Sequence, residues 1–163
     1  FLSKAIEREA ASQIQCYLAA NNLNATMQSA YRKYHSCETA LLRVCNDLLL
    51  TLDSGQEAVL IMLDYSAAFD TICHDTLLHR LRNRFGFCGT AFHWLESYIT
   101  SRSQCVVIRG KTSANQPLRR GVPQGSVMGP VLFTMYSSPL EDIIKANGFG
   151  HAIYAETLNF TRQ

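Results

Sequence analysis

The spacing of apolar residues divides the first third of the chain into two helices and a strand. Apolar positions recur at helical spacing from Phe1 to about Asn21, and again from Cys37 to Leu52 behind a capping serine, Ser36. The polar segment from Met27 to Cys37 fits no regular period and predicts a loop. Six uninterrupted apolar residues, Ala58 to Leu63, then predict a short strand that is buried on both faces.

The remainder of the chain predicts short helices and strands that are separated by turns. In chain order these are a helix from about His74 to Arg84, a helix from Thr90 to Tyr98, a hairpin that pairs Cys105–Ile108 with Pro117–Arg119, a tight loop that leads into a helix over residues 121–133, a polar helix to about Ala146, and a strand from His151 to Ala155. The aromatic residues around Trp94 recur at helical spacing, which predicts that they pack in a core. This mixture of helices and short strands predicts an α+β fold.

An aspartate, Asp64, directly follows the apolar strand, and Asp70 comes six residues later. A carboxylate that leaves an apolar element is costly unless it is paired, hydrogen-bonded or bound to a cation. From this stretch alone, a functional acid and a cap of the following turn remain equally open interpretations of Asp64.

Composition narrows the class of protein without identifying a function. The chain has 163 residues, of which 47% are hydrophobic and 17% are charged, as is usual for a globular domain. No apolar run approaches the roughly 18 residues that a membrane-spanning helix needs, so no membrane is expected as a partner. The six cysteines are scattered without a C-x-x-C pair. That pattern argues against a zinc knuckle or a disulfide framework and predicts an intracellular protein, in the nucleus or the cytoplasm.

Positive charge is concentrated in one part of the chain. Between Thr76 and Leu140 there are eight arginine and lysine residues and a single acidic residue, Glu96. Guanidinium groups bind phosphate through paired donors, so a nucleic-acid backbone is one candidate ligand. A solvated helix face and hairpin would have the same composition, and both interpretations remain open at this point.

The chain also contains five segments in a defined order: FLSKAIER, QSAYRKYHSCETALL, LDYSAAFDTICH, GVPQGSVMGPVLF and IYAETLNF. Together they resemble the reverse transcriptase of non-LTR (LINE-type) retrotransposons over nearly the whole chain. The resemblance implies a right-hand polymerase with a fingers-like helical part at about 1–56 and a palm at about 57–163. The palm would have an antiparallel sheet with helices packed on one face. The N-terminal fingers hairpin and the C-terminal thumb of such an enzyme are expected to lie outside this sequence.

The resemblance implies an RNA-directed DNA polymerase that extends a DNA primer on an RNA template with dNTPs. Such enzymes use two Mg²⁺ ions, or Mn²⁺ in their place, which carboxylates bind. Asp64 and Glu156 would be both the catalytic acids and the metal ligands. The residues implied to contact the dNTP are Tyr65, Ser66, Ala67, Ala68, Phe69, Gln124 and Gly125.

Two of these residues have specific implied roles. The ring of Phe69 would lie under the sugar and exclude a 2′-hydroxyl, and Gln124 would lie near the 3′-hydroxyl. A core phenylalanine and a loop glutamine that bonds to the backbone are the respective alternatives. The residues expected to contact nucleic acid are Arg32, Lys33, Arg119 and Arg120, although a solvated basic loop is an equal alternative for the first two.

One departure from the family pattern affects the expected activity. The family has two adjacent aspartates after Tyr154-Ala155, whereas this chain has Glu156 and Thr157. The extra methylene of glutamate would displace a metal ligand by on the order of 1 Å, and such a displacement can cost ~10²-fold in rate. We expect weak activity or none. The alternative is a catalytically dead remnant that acts at most as a nucleic-acid-binding module. Asp70 is expected to be a structural acid that closes its own turn, and Cys73, His74 and His79 are expected to belong to an ordinary helix start rather than to a metal cluster.

Overall fold

The computed structural model describes residues 2–24, 28–30, 34–148, 150–154 and 157–162, the last two ranges as backbone. Within these ranges the helices are α1 (Leu2–Ala20), α2 (Cys37–Asp53), α3 (His74–Asn83), α4 (Gly89–Ile99), α5 (Met128–Ser137) and α6 (Pro139–Ala146). The strands are β1 (Val59–Asp64), β2 (Arg102–Gln104), β3 (Val107–Ile108), β4 (Lys111–Thr112), β5 (Gln116–Leu118), β6 (Gly150–Tyr154) and β7 (Thr157–Arg162). None of the described helices is long and apolar enough to cross a membrane.

The helices begin and end close to the predicted residues, for identifiable reasons. The side chain of Ser36 accepts the amide of Thr39 at 3.3 Å, and the hydroxyl of Thr39 accepts the amide of Ser36 at 2.9 Å. This reciprocal capping box starts α2 at the predicted residue. Pro139 starts α6, because proline has no amide hydrogen to contribute and is tolerated in the first helical turn.

One hydrophobic core joins α1, α3, α4 and α5. Leu77 and Leu81 of α3 and Leu132 of α5 are completely buried, and α4 contributes the buried Leu95. The predicted packing of the aromatic residues of α4 is confirmed, because Trp94 lies against this core. The core therefore supports the segments on either side of α3 and the loop before α5.

The main sheet is antiparallel and has the strand order β1-β7-β6. Strand β7 was not predicted, although its sequence TLNFTR alternates between polar and apolar residues as a strand does. In the register of the sheet, Asp64 at the end of β1 pairs with Thr157 at the start of β7. The sheet thus brings the end of the apolar strand beside the last predicted motif.

The prediction that β1 is buried on both faces is wrong. Val59 is 58% exposed and Met62 is 69% exposed. The reason is the strand order, which leaves β1 at the edge of the sheet, while α2 contacts β6 and β7. An apolar run indicates a strand, but the surrounding elements decide how much of that strand is covered.

The predicted pairing of Cys105–Ile108 with Pro117–Arg119 is wrong, and two other strand pairs form in this region. Strand β2 pairs with β5, so that Leu118 lies opposite Arg102 rather than opposite the 105–108 segment. The 107–108 segment instead pairs with β4 through a two-residue turn at Arg109 and Gly110. Both turn residues have positive φ angles, +48° and +78°, as the tight turns that match the twist of a hairpin require.

The location of the core predicts the effect of matched leucine truncations. Leu132→Ala should lower the free energy of unfolding by about 2–5 kcal/mol, because it leaves a cavity between buried side chains. Leu42→Ala removes the same atoms from a side chain that is 68% exposed on α2. It should change the free energy by no more than about 0.5 kcal/mol. Urea unfolding followed by circular dichroism measures both values, and equal losses would contradict this core.

Candidate active site

The candidate site begins in the turn that follows β1. The carbonyl oxygen of Ala67 accepts the amide of Asp70 at 2.9 Å and both the amide and the hydroxyl of Thr71, at 3.1 Å and 3.2 Å. Ala67 has a φ angle of +51°, a left-handed conformation that costs a non-glycine residue about 1–2 kcal/mol. Residues 66–69 of the predicted dNTP-contacting segment, residues 65–69, therefore lie in one compact turn at the end of the strand.

The loop that precedes α5 is hydrogen-bonded to this turn through its backbone. The amide of Gly121 donates to the carbonyl of Ile72 at 2.8 Å, and the amide of Val122 donates to the carbonyl of Phe69 at 2.9 Å. Gly121 has a φ angle of +86°, and a β-carbon there would lie 3.2 Å from the Cα and the carbonyl oxygen of Asp70. Glycine, which has no β-carbon and readily adopts positive φ angles, makes this close approach without strain. The two motif segments consequently form one structural unit.

A buried histidine adds a further contact between the loop and α3. His74 Nε2 lies 2.8 Å from the carbonyl oxygen of Gly121. Because a carbonyl oxygen can only accept, Nε2 must carry the proton in this contact. His74 therefore stabilises the docked loop.

The side chain of Gln124 in the loop is hydrogen-bonded to the side chain of Asp70 in the turn. Gln124 Nε2 donates to both carboxylate oxygens of Asp70, at 3.1 Å and 2.9 Å. The prediction that Asp70 closes its own turn is wrong, because the backbone and the Thr71 hydroxyl close that turn. Gly125, the next residue after Gln124, has a φ angle of +74° and open space where a β-carbon would be.

Aromatic packing anchors Phe69, the residue that is predicted to exclude a 2′-hydroxyl. The half-buried ring of Phe69 packs against buried Phe133 of α5, with ring centroids 5.6 Å apart. Tyr65 contacts the same ring edge to face at 5.5 Å. Burial raises the pKa of the Tyr65 phenol, and the charge of Arg80 acts in the opposite direction. Tyr65 thus keeps its proton at neutral pH.

A basic cleft adjoins the Asp70 side of the unit. Its volume is about 570 Å³, and Arg102, Gln104, Arg119 and Arg120 line it together with Asp70. Arg119 and Arg120 are exposed, whereas Arg102 is half-buried on β2. The two arginines that the sequence predicts as nucleic-acid contacts therefore lie beside the candidate nucleotide site.

The predicted acidic residues are described in part. Asp64 is exposed at the end of β1. Glu156 lies outside the described residues, as do Arg32 and Lys33, and their roles stay predictions. In the described ranges, no group of three or more His, Cys, Asp or Glu residues could hold a metal ion.

Two hydrogen bonds that stabilise the site could not be predicted from the sequence. Glu7 of α1 accepts the amide of Val127 at 2.7 Å and so stabilises the N-terminal end of α5 from 120 residues away. The bond between His74 and the carbonyl of Gly121 spans 47 residues. The one sequence feature that indicates a close backbone contact here is Gly121, which lies in the predicted tight loop.

A family model described as reverse transcriptase (RNA-dependent DNA polymerase) matches residues 1–159. The chain belongs to the reverse transcriptase family. The Drosophila melanogaster protein named probable RNA-directed DNA polymerase from transposon BS is 29% identical over 139 residues, which cover 85% of this chain and 15% of that protein. The RNA-directed DNA polymerase from mobile element jockey of the same species is 32% identical over 113 residues, covering 69% of this chain and 12% of that protein. The predicted LINE-type reverse transcriptase domain is confirmed, and the chain spans only 12–15% of the length of these relatives.

A solved structure supports the fold of this reverse transcriptase domain independently of close sequence similarity. The structure of apo telomerase from Candida Tropicalis, truncated from its C-terminal domain, superposes with a TM-score of 0.67 at 12% identity. The match covers 98% of this chain and 34% of that one. The α+β prediction is confirmed at this level, as a mixture of helices and small antiparallel sheets.

The docking of the two segments predicts a difference between two glycine substitutions. Gly125→Ala should cost about 1 kcal/mol of unfolding free energy, since only the left-handed conformation is affected. Gly121→Ala should cost about 1–3 kcal/mol more, because its β-carbon would press on the backbone of Asp70. Urea unfolding of the two variants side by side measures the difference. Equal costs would show that the close approach at Gly121 is not maintained in solution.

Proposed function

We propose that the chain is the fingers-palm portion of an RNA-directed DNA polymerase from a LINE-type mobile element, acting inside the cell in the nucleus or the cytoplasm. Residues at about 1–56 would form the fingers-like part and those at about 57–163 the palm, with β1-β7-β6 as the palm sheet. The observation that carries the proposal is the docking of loop 121–127 on the turn after β1. It holds Phe69 and Gln124, two residues with implied nucleotide roles, within one hydrogen-bonded unit.

Asp64 and Glu156 are the residues that would hold Mg²⁺ in this site. Carboxylate oxygens are the ligands that Mg²⁺ prefers in proteins. When bound, the ions would activate the primer 3′-hydroxyl and neutralise charge on the triphosphate. The strand register supports the pairing, because Thr157, which directly follows Glu156 in the sequence, lies opposite Asp64.

The turn and the loop would bind the incoming dNTP. Backbone amides of residues 66–68 would lie against the triphosphate, and the half-exposed ring of Phe69 would lie under the sugar. The packing of Phe69 against Phe133 supports this role, because a ring that excludes a 2′-hydroxyl has to resist displacement. Gln124 would contact the sugar, and Gly125, without a side chain, would let the nucleotide approach the backbone.

The basic cleft would bind phosphates of the RNA template and DNA primer. Arg119 and Arg120, the residues expected to contact nucleic acid, line this cleft, and Arg102 adds a third guanidinium from β2. We propose Arg32 and Lys33 as further contacts on the strength of the sequence. Described residues of β2, β5 and the loop before α5 line the cleft, and this favours a second candidate function: a chain without catalysis that retains nucleic-acid binding.

Restoring the acidic pair should raise primer extension on an RNA template. With Mg²⁺ or Mn²⁺, the unmodified chain should extend a primer weakly or not at all. The double variant Glu156→Asp/Thr157→Asp should be faster by about 10²-fold, because the carboxylates regain their expected reach. Adding Asp64→Asn should abolish that gain.

The matched control for this experiment is Asp75→Asn, which removes an exposed carboxylate of α3. It should leave extension unchanged. Extension that survives Asp64→Asn would refute the catalytic role of that residue. A restored variant that remains inactive while still binding template and primer would favour the binding module.

The affinity for a template-primer duplex should fall steeply as salt rises, because phosphate contacts release counterions. Arg119→Ala/Arg120→Ala should reduce the slope of log K against log salt by about 2, one for each lost phosphate contact. Arg43→Ala, an exposed arginine on α2, is the control and should leave the slope unchanged. Fluorescence anisotropy over a salt series measures the slopes. A flat response of the unmodified chain would exclude nucleic acid as a partner.

A further inference from the structure

We propose that Asp70 is a positioning residue that sets the orientation of the Gln124 carboxamide and thereby presents its oxygen, Oε1, to a hydroxyl of the bound nucleotide's sugar. The pairing of Asp70 with Gln124 stands on the geometry of the chain alone. The identity of the ligand rests on the proposed function.

The chemistry of the two groups determines which end of the amide faces Asp70. A carboxylate at neutral pH accepts hydrogen bonds and has none to donate. The amide nitrogen must therefore face it, and the opposite orientation would place the amide oxygen against two negatively charged oxygens. Gln124 Nε2 lies 3.1 Å and 2.9 Å from the two oxygens of Asp70, a charge-assisted contact that is stronger than a neutral one.

Both ends of the pair are held by the backbone. The amide of Asp70 is bonded to the carbonyl of Ala67 at 2.9 Å, and Gly121 approaches the Cα of Asp70 so closely that a β-carbon would lie 3.2 Å away. On the other side, the amide of Val122, two residues before Gln124, is bonded to the carbonyl of Phe69. The separation between carboxylate and amide is therefore set by the docked loop.

This arrangement assigns different tasks to the two ends of the amide. Nε2 is committed to Asp70, whereas Oε1 makes no hydrogen bond to the part of the chain that the structure describes. Oε1 can accept a hydrogen bond from a ligand hydroxyl, such as the sugar 3′-hydroxyl of a dNTP. Without Asp70 the carboxamide would no longer be held in one position, so its hydrogen bond to that hydroxyl, and the selection that depends on this bond, would be lost.

The first arm of the test measures the pair without any ligand. In protein labelled with ¹⁵N-glutamine, the side-chain NH₂ signals of Gln124 are assigned by their absence in Gln124→Ala. Their hydrogen exchange should be about 5-fold faster in Asp70→Ala than in the unmodified chain, the factor that corresponds to one lost hydrogen bond. Asp75→Ala is the control and should not change the rate. Asp70→Asn retains one acceptor and should give an intermediate rate, so it serves as a second variant if alanine disturbs folding.

The second arm measures nucleotide selection without catalysis. The complex contains an RNA template, a primer that ends in a dideoxynucleotide, and Mg²⁺, so that dTTP binds but cannot be added. The unmodified chain should bind dTTP about 5-fold more tightly than 2′,3′-dideoxy-TTP, again the factor for one hydrogen bond. That ratio should fall to about one in Asp70→Ala and remain unchanged in Asp75→Ala.

The two arms separate the inference from the proposed function. Exchange at Gln124 that is unaffected by Asp70→Ala overturns the inference, even if dTTP binds well. A selection ratio that persists in Asp70→Ala overturns it too. If exchange responds as expected but neither nucleotide binds, the proposed dNTP site fails and the sugar contact fails with it, whereas the Asp70–Gln124 pair stands.

Discussion

The candidate site depends on two backbone hydrogen bonds that join segments about fifty residues apart in the chain. The amides of Gly121 and Val122 bond to the carbonyls of Ile72 and Phe69. A side chain at residue 121 would strain both bonds, because its β-carbon would lie only 3.2 Å from the Cα and the carbonyl oxygen of Asp70. The side-chain contact of Gln124 with Asp70 follows from this docking. A single glycine thus sets the geometry in which several chemically active residues meet.

The hydrophobic core supports this unit on the side of α3 and α5. α3 and α5 pack together beneath the two docked segments, and Phe133 of α5 contacts both Tyr65 and Phe69. The three-stranded sheet contacts α2 instead and contributes none of its described side chains to the core cluster. Tyr65 and Phe69 are accordingly anchored by Phe133 of α5, whereas Asp64 is positioned by strand pairing. A shift of the sheet that moves Asp64 therefore need not move Tyr65 or Phe69.

Sequence patterns predicted the features that depend on neighbouring residues and missed those that depend on contacts between distant segments of the chain. The cap at Ser36 and the helical periods are written in neighbouring residues, so α2, α3 and α4 begin and end within about one residue of prediction. The exposure of β1 and the register of β2 depend on elements elsewhere in the chain, which no local pattern contains. The same holds for the site. The order of the motifs indicated Phe69 and Gln124. The contact between Gln124 and Asp70 depends on the docking of the loop on the turn, which no local pattern contains.

The exposure of β1 has a consequence for how the protein behaves in solution. An apolar strand at the edge of a sheet is a template for pairing with another chain, and proteins usually protect such edges with charge. β1 has the sequence VLIMLD, in which Asp64 is the only charged residue. Glu57 lies two positions before the strand. These two acids therefore flank an aggregation-prone segment as gatekeepers. The carboxylate proposed for metal binding would thus also favour solubility, and replacing it with an amide would weaken both properties at once.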